Sequence, residues 1–529
     1  MTMPALIPWP AELKMDSGRF QLNASTVLYC PSDGDTSGAV LRFADALRTA
    51  SGLPLPIAPL AEPGARANAL VFQLATAADA LPSESYQLQI TPEQVDLTAA
   101  DHAGLLLGLQ TLRQLLPAAL ENQTESQSEG QDERSELDWS LPALTIADQP
   151  RFGWRGLMLD SARHLFPVDA IKALLDGMAR YKLNRFHWHL TEDQGWRVEI
   201  QAHPRLTEFG ARRAETPIPS DRERGDGKPY GGWYSRADVR EIVAYADQLG
   251  ITVIPELELP GHALAALASY PQLGCRGQGY AVRSRWGIEE DVYCAGRETT
   301  FEFLETVLKE LFELFPGDYF HIGGDECPKT RWKTCPDCQA RIQSEGLADE
   351  DELQSYFVRR IGCFLEKHGR KLLGWDEILE GGLAPGATVM SWRGSQGGIT
   401  AAAQGHQVVM SPNTHCYFDY YQSEDTEQEP AAIGGYLPLQ RVYQFDPCAG
   451  IPAEQHALVL GGQANVWTEY IQTPAQVDYM VYPRLLALAE CLWSPLENRT
   501  WDGFAQRLPE HFERLAAAGI GFRVPLADD

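Results

Sequence analysis

The chain has 529 residues, more than one ordinary core holds, and its 44% hydrophobic and 22% charged residues exclude a disordered polypeptide. Lys and Arg number 44 against 72 Asp and Glu, a formal net charge of −28, and a field of that sign disfavours nucleic acid and anionic membrane surfaces as partners. No uncharged apolar run reaches the ~18 residues of a membrane span, and residues 1–10 carry neither the basic nor the apolar stretch of a secretory signal, so the expected location is cytoplasmic unless a leader was removed.

Residues 1–148 read as a small α+β accessory unit. Residues 19–22 and 69–74 are strand-like, and residues 86–90 and 94–97 alternate about Thr91-Pro92-Glu93, which predicts a hairpin. Leu105, Leu109, Leu112 and Leu116 recur at helical spacing, which predicts a helix packed on that sheet. Between 121 and 138 the chain carries seven acids and one Arg, the composition of a solvated loop.

From residue 149 the texture changes, and twelve of the thirteen Trp lie at or beyond Trp139. Eight short apolar runs follow one another, at 156–159, 185–188, 252–255, 319–322, 371–374, 388–391, 407–410 and 458–461. Val168, Ile171, Leu174, Leu175 and Met178 form a helical stripe after the first run, and Leu353, Phe357, Ile361, Phe364 and Leu365 another before Gly369, a helix-stop glycine. The fold class expected is therefore α/β, an irregular parallel (β/α)8 barrel spanning 149–529 behind the α+β unit. Its irregularity falls between the fifth and sixth runs, where residues 380–386 break any helix.

Each run ends in polar or aromatic groups, where barrel enzymes build their sites. In order these include Asp160 and Arg163; His189, Glu192 and Asp193; Glu256, Glu258 and His262; Asp325 and Glu326; Trp375; Trp392; Tyr417 and Asp419; Trp467 and Glu469. Indole faces among carboxylates suit a sugar, the rings packing on pyranose faces and the carboxylates accepting from hydroxyls. Adjacent residues of a regular strand face opposite ways, so Asp325 and Glu326 can share a ligand only if Gly323-Gly324 makes the strand end irregular. Two carboxyls that close push their proton affinities apart, one acid and one anion.

Ten cysteines are too few for a disulfide scaffold. Cys327, Cys335 and Cys338 are close enough to suggest a metal, but no fourth ligand follows and plain thiols are expected. Cys275 and Cys294 would be placed to bridge in an exported protein.

The stretch His321-Ile322-Gly323-Gly324-Asp325-Glu326, with Gly374-Trp375-Asp376-Glu377, Ser391-Trp392-Arg393-Gly394, Pro260-Gly261-His262 and Val466-Trp467-Thr468-Glu469, resembles the β-N-acetylhexosaminidases of glycoside hydrolase family 20. The resemblance extends to the α+β unit, and departs at Glu192-Asp193, where many relatives have two Asp, and at Glu258, where Asp is common. It implies an exo-acting, retaining enzyme whose nucleophile is the substrate's own acetamido oxygen. In it Glu326 is acid and base, Asp325 holds the acetamido N–H, and Tyr417 bonds the acetamido oxygen. Trp375, Trp392 and Trp467 wall the sugar, Arg163, Asp419 and Glu469 grip its hydroxyls, and His262 supports the acid through Glu192 or Asp193. The implied partner is an oligosaccharide or glycoconjugate ending in an N-acetylhexosamine, with no metal and no organic cofactor. Two other readings stay open: a conventional retaining glycosidase with Glu256 or Glu258 as nucleophile, and a sugar-binding barrel without activity.

Overall fold

A computed structural model describes residues 3–32, 34–60, 66–76, 81–122 and 137–525, so most of the expected acidic loop, residues 123–136, lies outside the described residues. None of the described helices is long and apolar enough to cross a membrane.

The N-terminal unit is one mixed sheet of β1 (Glu12–Gln21), β2 (Val27–Cys30), β3 (Ile57–Pro59), β4 (Ala69–Leu74), β5 (Tyr86–Ile90), β6 (Gln94–Ala99) and β7 (Ser140–Asp148). Its strand order is β1-β7-β5-β6-β4-β2-β3, antiparallel from β1 through β6 and parallel from there on. The hairpin is β5–β6, and the predicted helix is α2 (His102–Gln114), capped by Asp101, whose side chain accepts from Gly104 N. Leu105, Leu109, Leu112 and Leu116 are all buried, as are Phe43 and Leu47 of α1 (Gly34–Ser51).

The second unit is a closed, all-parallel barrel of β8 (Trp154–Asp160), β9 (Arg185–His189), β10 (Thr252–Glu256), β11 (Tyr319–His321), β12 (Lys371–Trp375), β13 (Thr388–Ser391), β14 (Val408–Met410) and β15 (Val459–Val466). Every strand overlaps one of the eight apolar runs. The connections include α3 (Val168–Arg180), α4 (Arg236–Gln248), α5 (Glu298–Leu314), α6 (Pro336–Glu345), α7 (Glu350–Lys367), α8 (Gln396–Ala403), α9 (Arg484–Trp493) and α10 (Trp501–Ala517). A single 3-10 turn, Asp376–Leu379, replaces the helix between β12 and β13, the irregularity expected there.

Along the barrel axis, side chains two residues apart point inward together. Trp154, Ile254, Leu373, Met390 and Val409 pack into an apolar centre. Above it Glu256 is buried, with His189 Nδ1 at 2.6 Å, His321 Nδ1 at 2.8 Å and His187 Nε2 at 2.9 Å, and it accepts from Trp375 Nε1 at 2.8 Å. Burial opposes ionisation here, but the neighbouring imidazoles hold Glu256 well below the usual carboxylate range.

The two units are welded by buried ions. Lys182 donates to Asp148 at 3.0 Å and lies over the indole of Trp493, which itself donates to Asp148 at 2.9 Å. Glu121 meets Arg113 of α2 at 2.7 Å, Arg180 of α3 at 3.0 Å and Arg514 of α10 at 3.8 Å. Burial alone would raise the Glu121 pKa, but the guanidinium charges of Arg113 and Arg180 bring it from 4.5 to about 2. A depressed carboxylate contributes stability above its unfolded pKa that is lost as pH falls from 4.5 towards 2. Glu121→Gln leaves the arginines buried without a counter-charge, and chemical denaturation at neutral pH is expected to show a loss of about 3–5 kcal/mol that shrinks on acidification.

Two cysteine expectations need correction. Cys327 is not grouped with Cys335 and Cys338: its Cα lies beneath Gly261, whose Cβ, if present, would stand 3.4 Å away. Cys275 and Cys294 do not form a bridge by themselves but join Cys335 and Cys338 in one cluster of four free thiols. The additional members precede the Cys335–Cys338 pair in sequence, which is why a search downstream found none.

Candidate active site

The carboxyl ends of the strands enclose a cavity of about 580 Å3. Of the sixteen strand-end residues named from sequence, Arg163, His262, Asp325, Glu326, Trp375, Trp392, Tyr417, Asp419, Trp467 and Glu469 line it, while Asp160, His189, Glu192, Asp193, Glu256 and Glu258 lie outside its lining.

The Asp325–Glu326 pair is set by its approach. Gly323 and Gly324 follow β11 with φ of 64° and 99°, and a Cβ on Gly323 would stand 1.8 Å from Glu258 Oε2. Glu326 itself has φ of 43°, a left-handed conformation that non-glycine residues adopt at a cost and that here turns the chain straight after Asp325. Both carboxyls consequently reach the same atom: His262 Nε2 lies 3.6 Å from Asp325 Oδ2 and 3.6 Å from Glu326 Oε2. His262, also left-handed at φ 46°, donates through Nδ1 to Glu192 at 2.7 Å, with Asp193 at 3.7 Å. Gly261 lets this loop press on the acids, since a Cβ there would come within 3.2 Å of the Asp325 carbonyl.

These contacts divide the protons. Burial opposes charge on His262, but the Glu192 and Asp325 carboxylates lift its pKa well above 6.5 and so favour the imidazolium form. Burial, with the charges of Glu256 and Glu326, raises Asp325 to about 6 despite that cation. Glu258, buried and pressed by the Asp325 charge, is raised well above 4.5, and Glu377 is raised to about 8 by burial and Asp325.

The walls are aromatic. Trp375 and Trp467 meet at 5.9 Å between centroids, and Trp392 stacks on Tyr417 at 6.0 Å while donating to Glu377 at 2.9 Å. Arg163 sits over the Trp467 ring and is held by Glu192 at 3.2 Å, Asp160 at 3.3 Å and Gln194 at 3.1 Å. Asp160 at the end of β8 fixes this corner by accepting from the backbone N–H groups of Ala162, Arg163 and Thr468. Asp325 Oδ1, Asp419 Oδ1 and Glu469 Oε2 are buried with no protein partner, so acceptors line the cavity where a polyol can supply donors.

The model of glycosyl hydrolase family 20, catalytic domain, matches residues 152–496, and that of the family's domain 2 matches residues 3–149. The chain belongs to glycosyl hydrolase family 20. It is 47% identical to the β-hexosaminidase of Porphyromonas gingivalis over 525 residues, which cover 99% of this chain and 65% of that relative's length. Among solved structures, it resembles the Streptomyces plicatus N-acetyl-β-hexosaminidase in complex with Thio-NAglucal, at TM-score 0.84 and 33% identity, covering 98% of this chain and 96% of that one. It also resembles the family 20 exo β-N-acetylglucosaminidase of Vibrio harveyi in complex with N-acetylglucosamine, at TM-score 0.83 and 31% identity, covering 99% and 78%.

Sequence reading of this family 20 cavity missed part of its wall. Trp286 and Ile288 line it from the long excursion between β10 and α5, and Arg222, Tyr420, Tyr470 and the Ile433-Gly434-Gly435 stretch line it as well. Trp286 is buried against His164 and beneath the Arg213 guanidinium. The available signal was an indole inside a polar, glycine-rich stretch, but nothing in that stretch tells where the excursion returns. Glu377 was named only within the stretch Gly374-Trp375-Asp376-Glu377, with no role, and its bond to Trp392 was not foreseen.

Proposed function

We propose that this chain is an exo-acting β-N-acetylhexosaminidase, releasing terminal non-reducing N-acetylglucosamine or N-acetylgalactosamine with retention of configuration. The observation that carries the reading is the convergence of Asp325 and Glu326 on one histidine nitrogen at the mouth of an indole-walled cavity. The acetamido oxygen of the bound sugar attacks C1 while the bond from C1 to the leaving oxygen breaks, and Glu326 gives that oxygen its proton. Asp325, as the anion, accepts from the acetamido N–H and balances the positive charge growing on the ring being closed. Tyr417 donates to the acetamido oxygen and orients it. Water then opens the oxazoline-type ring at C1, and its proton goes to Glu326.

The rival nucleophiles Glu256 and Glu258 are 1% and 2% exposed, beneath the cavity floor, and Glu256 is engaged by Trp375 and the histidines. Their burial favours the substrate's own nucleophile over a glycosyl ester. Arg163 and Asp419, both buried, and the half-buried Glu469 line the cavity and suit the hydroxyls of a chain terminus, and the exo-acting Vibrio harveyi relative supports that mode.

A thiazoline analogue of the cyclised intermediate tests this reading directly. Competitive inhibition at least about 100-fold tighter than by free N-acetylglucosamine is expected of an intermediate mimic; a sugar trapped as an ester on Glu256 or Glu258 would overturn the proposal. Asp325 must be ionised to act, and its pKa is raised to about 6. The kcat/KM is therefore expected to fall as pH drops below about 6, and this acid limb should vanish in Asp325→Asn, measurable from initial rates between pH 4 and 8.

A further inference from the structure

Away from the reacting groups, Cys335 and Cys338 open α6, Cys335 as the cap and Cys338 in its first turn, a spacing that presents two sulfurs to one side. Cys275 and Cys294 bracket the excursion bearing Trp286 and Ile288, and Gly274 pairs with Tyr293 in a bridge that draws its ends together. The four sulfurs lie within 4.8 Å of one another, with Cys275–Cys338 at 3.8 Å, Cys294–Cys335 at 3.8 Å and Cys294–Cys338 at 3.6 Å. A tetrahedron with metal–sulfur bonds of about 2.3 Å has edges of about 3.8 Å, whereas a disulfide needs about 2.05 Å.

The surroundings suit an anionic thiolate centre. Arg297 is pinned alongside by Asp337 at 2.7 Å and by the carbonyls of Gln272 and Gly274. The N-terminus of α6 adds its positive end. Gly296 permits the close approach, since a Cβ there would stand 2.1 Å from the Asp337 carbonyl carbon and 2.4 Å from Cys338 N.

We propose that Cys275, Cys294, Cys335 and Cys338 bind one zinc ion as four thiolates, releasing their protons on binding. Four protein ligands leave no open position, so the site is structural: it ties the excursion carrying Trp286 and Ile288 to the segment that follows Glu326. The proposal is independent of the activity assigned above, because its first readout is metal content.

Elemental analysis of the full chain, expressed with zinc in the medium, should give about one zinc per chain, with Cys338→Ser and the half-buried Cys275→Ser near zero and the exposed Cys363→Ser unchanged. Because the cysteine variants risk misfolding, unmutated protein stripped by a chelator should take up about one Co2+ and show the visible bands of a tetrahedral thiolate complex. Zinc removal is expected to raise KM several-fold with a smaller change in kcat, since Trp286 and Ile288 wall the cavity without reacting. Two disulfides among these cysteines on mass analysis of the denatured, alkylated protein would overturn the assignment. So would four free thiols that take up neither Zn2+ nor Co2+.

Discussion

Replacing Glu326 with Gln is expected to lower turnover of an N-acetylglucosamine disaccharide by about 100-fold or more, the scale of a lost general acid–base. The side chain is 36% exposed at the cavity mouth, so the amide is accommodated and KM should change little. What is removed is a proton-transfer group used twice, giving a proton to the leaving oxygen and then taking one from water. An aryl glycoside whose leaving group departs without protonation separates the two steps. With it the variant should close the oxazoline-type ring at nearly the normal rate and then stall, giving a burst. Azide, which needs no base, should then restore turnover and yield the β-glycosyl azide. A variant equally slow with both substrates and deaf to azide would remove Glu326 from the role.

Asp325→Asn should cost about 100- to 1,000-fold in kcat, the range found when a group stabilising transition-state charge is lost. The amide keeps the shape and can still accept, but it no longer balances the cation forming on the acetamido group. Beside it, His262 loses one of the carboxylates that favour its imidazolium form. The slow hydrolysis of the corresponding 2-hydroxy glycoside, which has no amide to orient, should stay within about threefold of the unmutated protein. Equal losses on both substrates would mean that Asp325 only supports the loop.

The barrel was legible because its strands are buried on both sides and read as short apolar runs, each broken by the polar group it delivers. Trp392 and Tyr417 could be placed at the mouth from strand ends alone, since a parallel strand fixes which end its next residues occupy. The same logic fails for Trp286, whose position depends on contacts with His164 and Arg213 rather than on a strand. Helix α1 also escaped the sequence reading: its buried side mixes Thr36, Ala39, Ala44 and Ala50 with the larger Val40, Phe43 and Leu47, and it opens on Gly, Asp, Thr and Ser, which read as loop. The left-handed turns at His262 and Glu326 could not be read at all, because neither residue favours that conformation and only the packing around it enforces it. Of the four thiols, the Cys335–Cys338 pair showed in its spacing, while its partners depend on how an excursion folds back.

The weld between the two units bears on how this protein can be divided. Trp493 belongs to the barrel's α9 yet packs in the hydrophobic core of the N-terminal sheet, and the cation of Lys182 is neutralised by Asp148 from the far side of the boundary. A barrel expressed alone would expose the Trp493 indole and take from Lys182 the Tyr86 hydroxyl and Asp148 carboxylate that satisfy its ammonium. Deletion of the accessory sheet should therefore yield insoluble material rather than a minimal catalyst, and heating the whole chain should melt both halves in one cooperative event. The unit that evolution or an engineer can transplant is the pair.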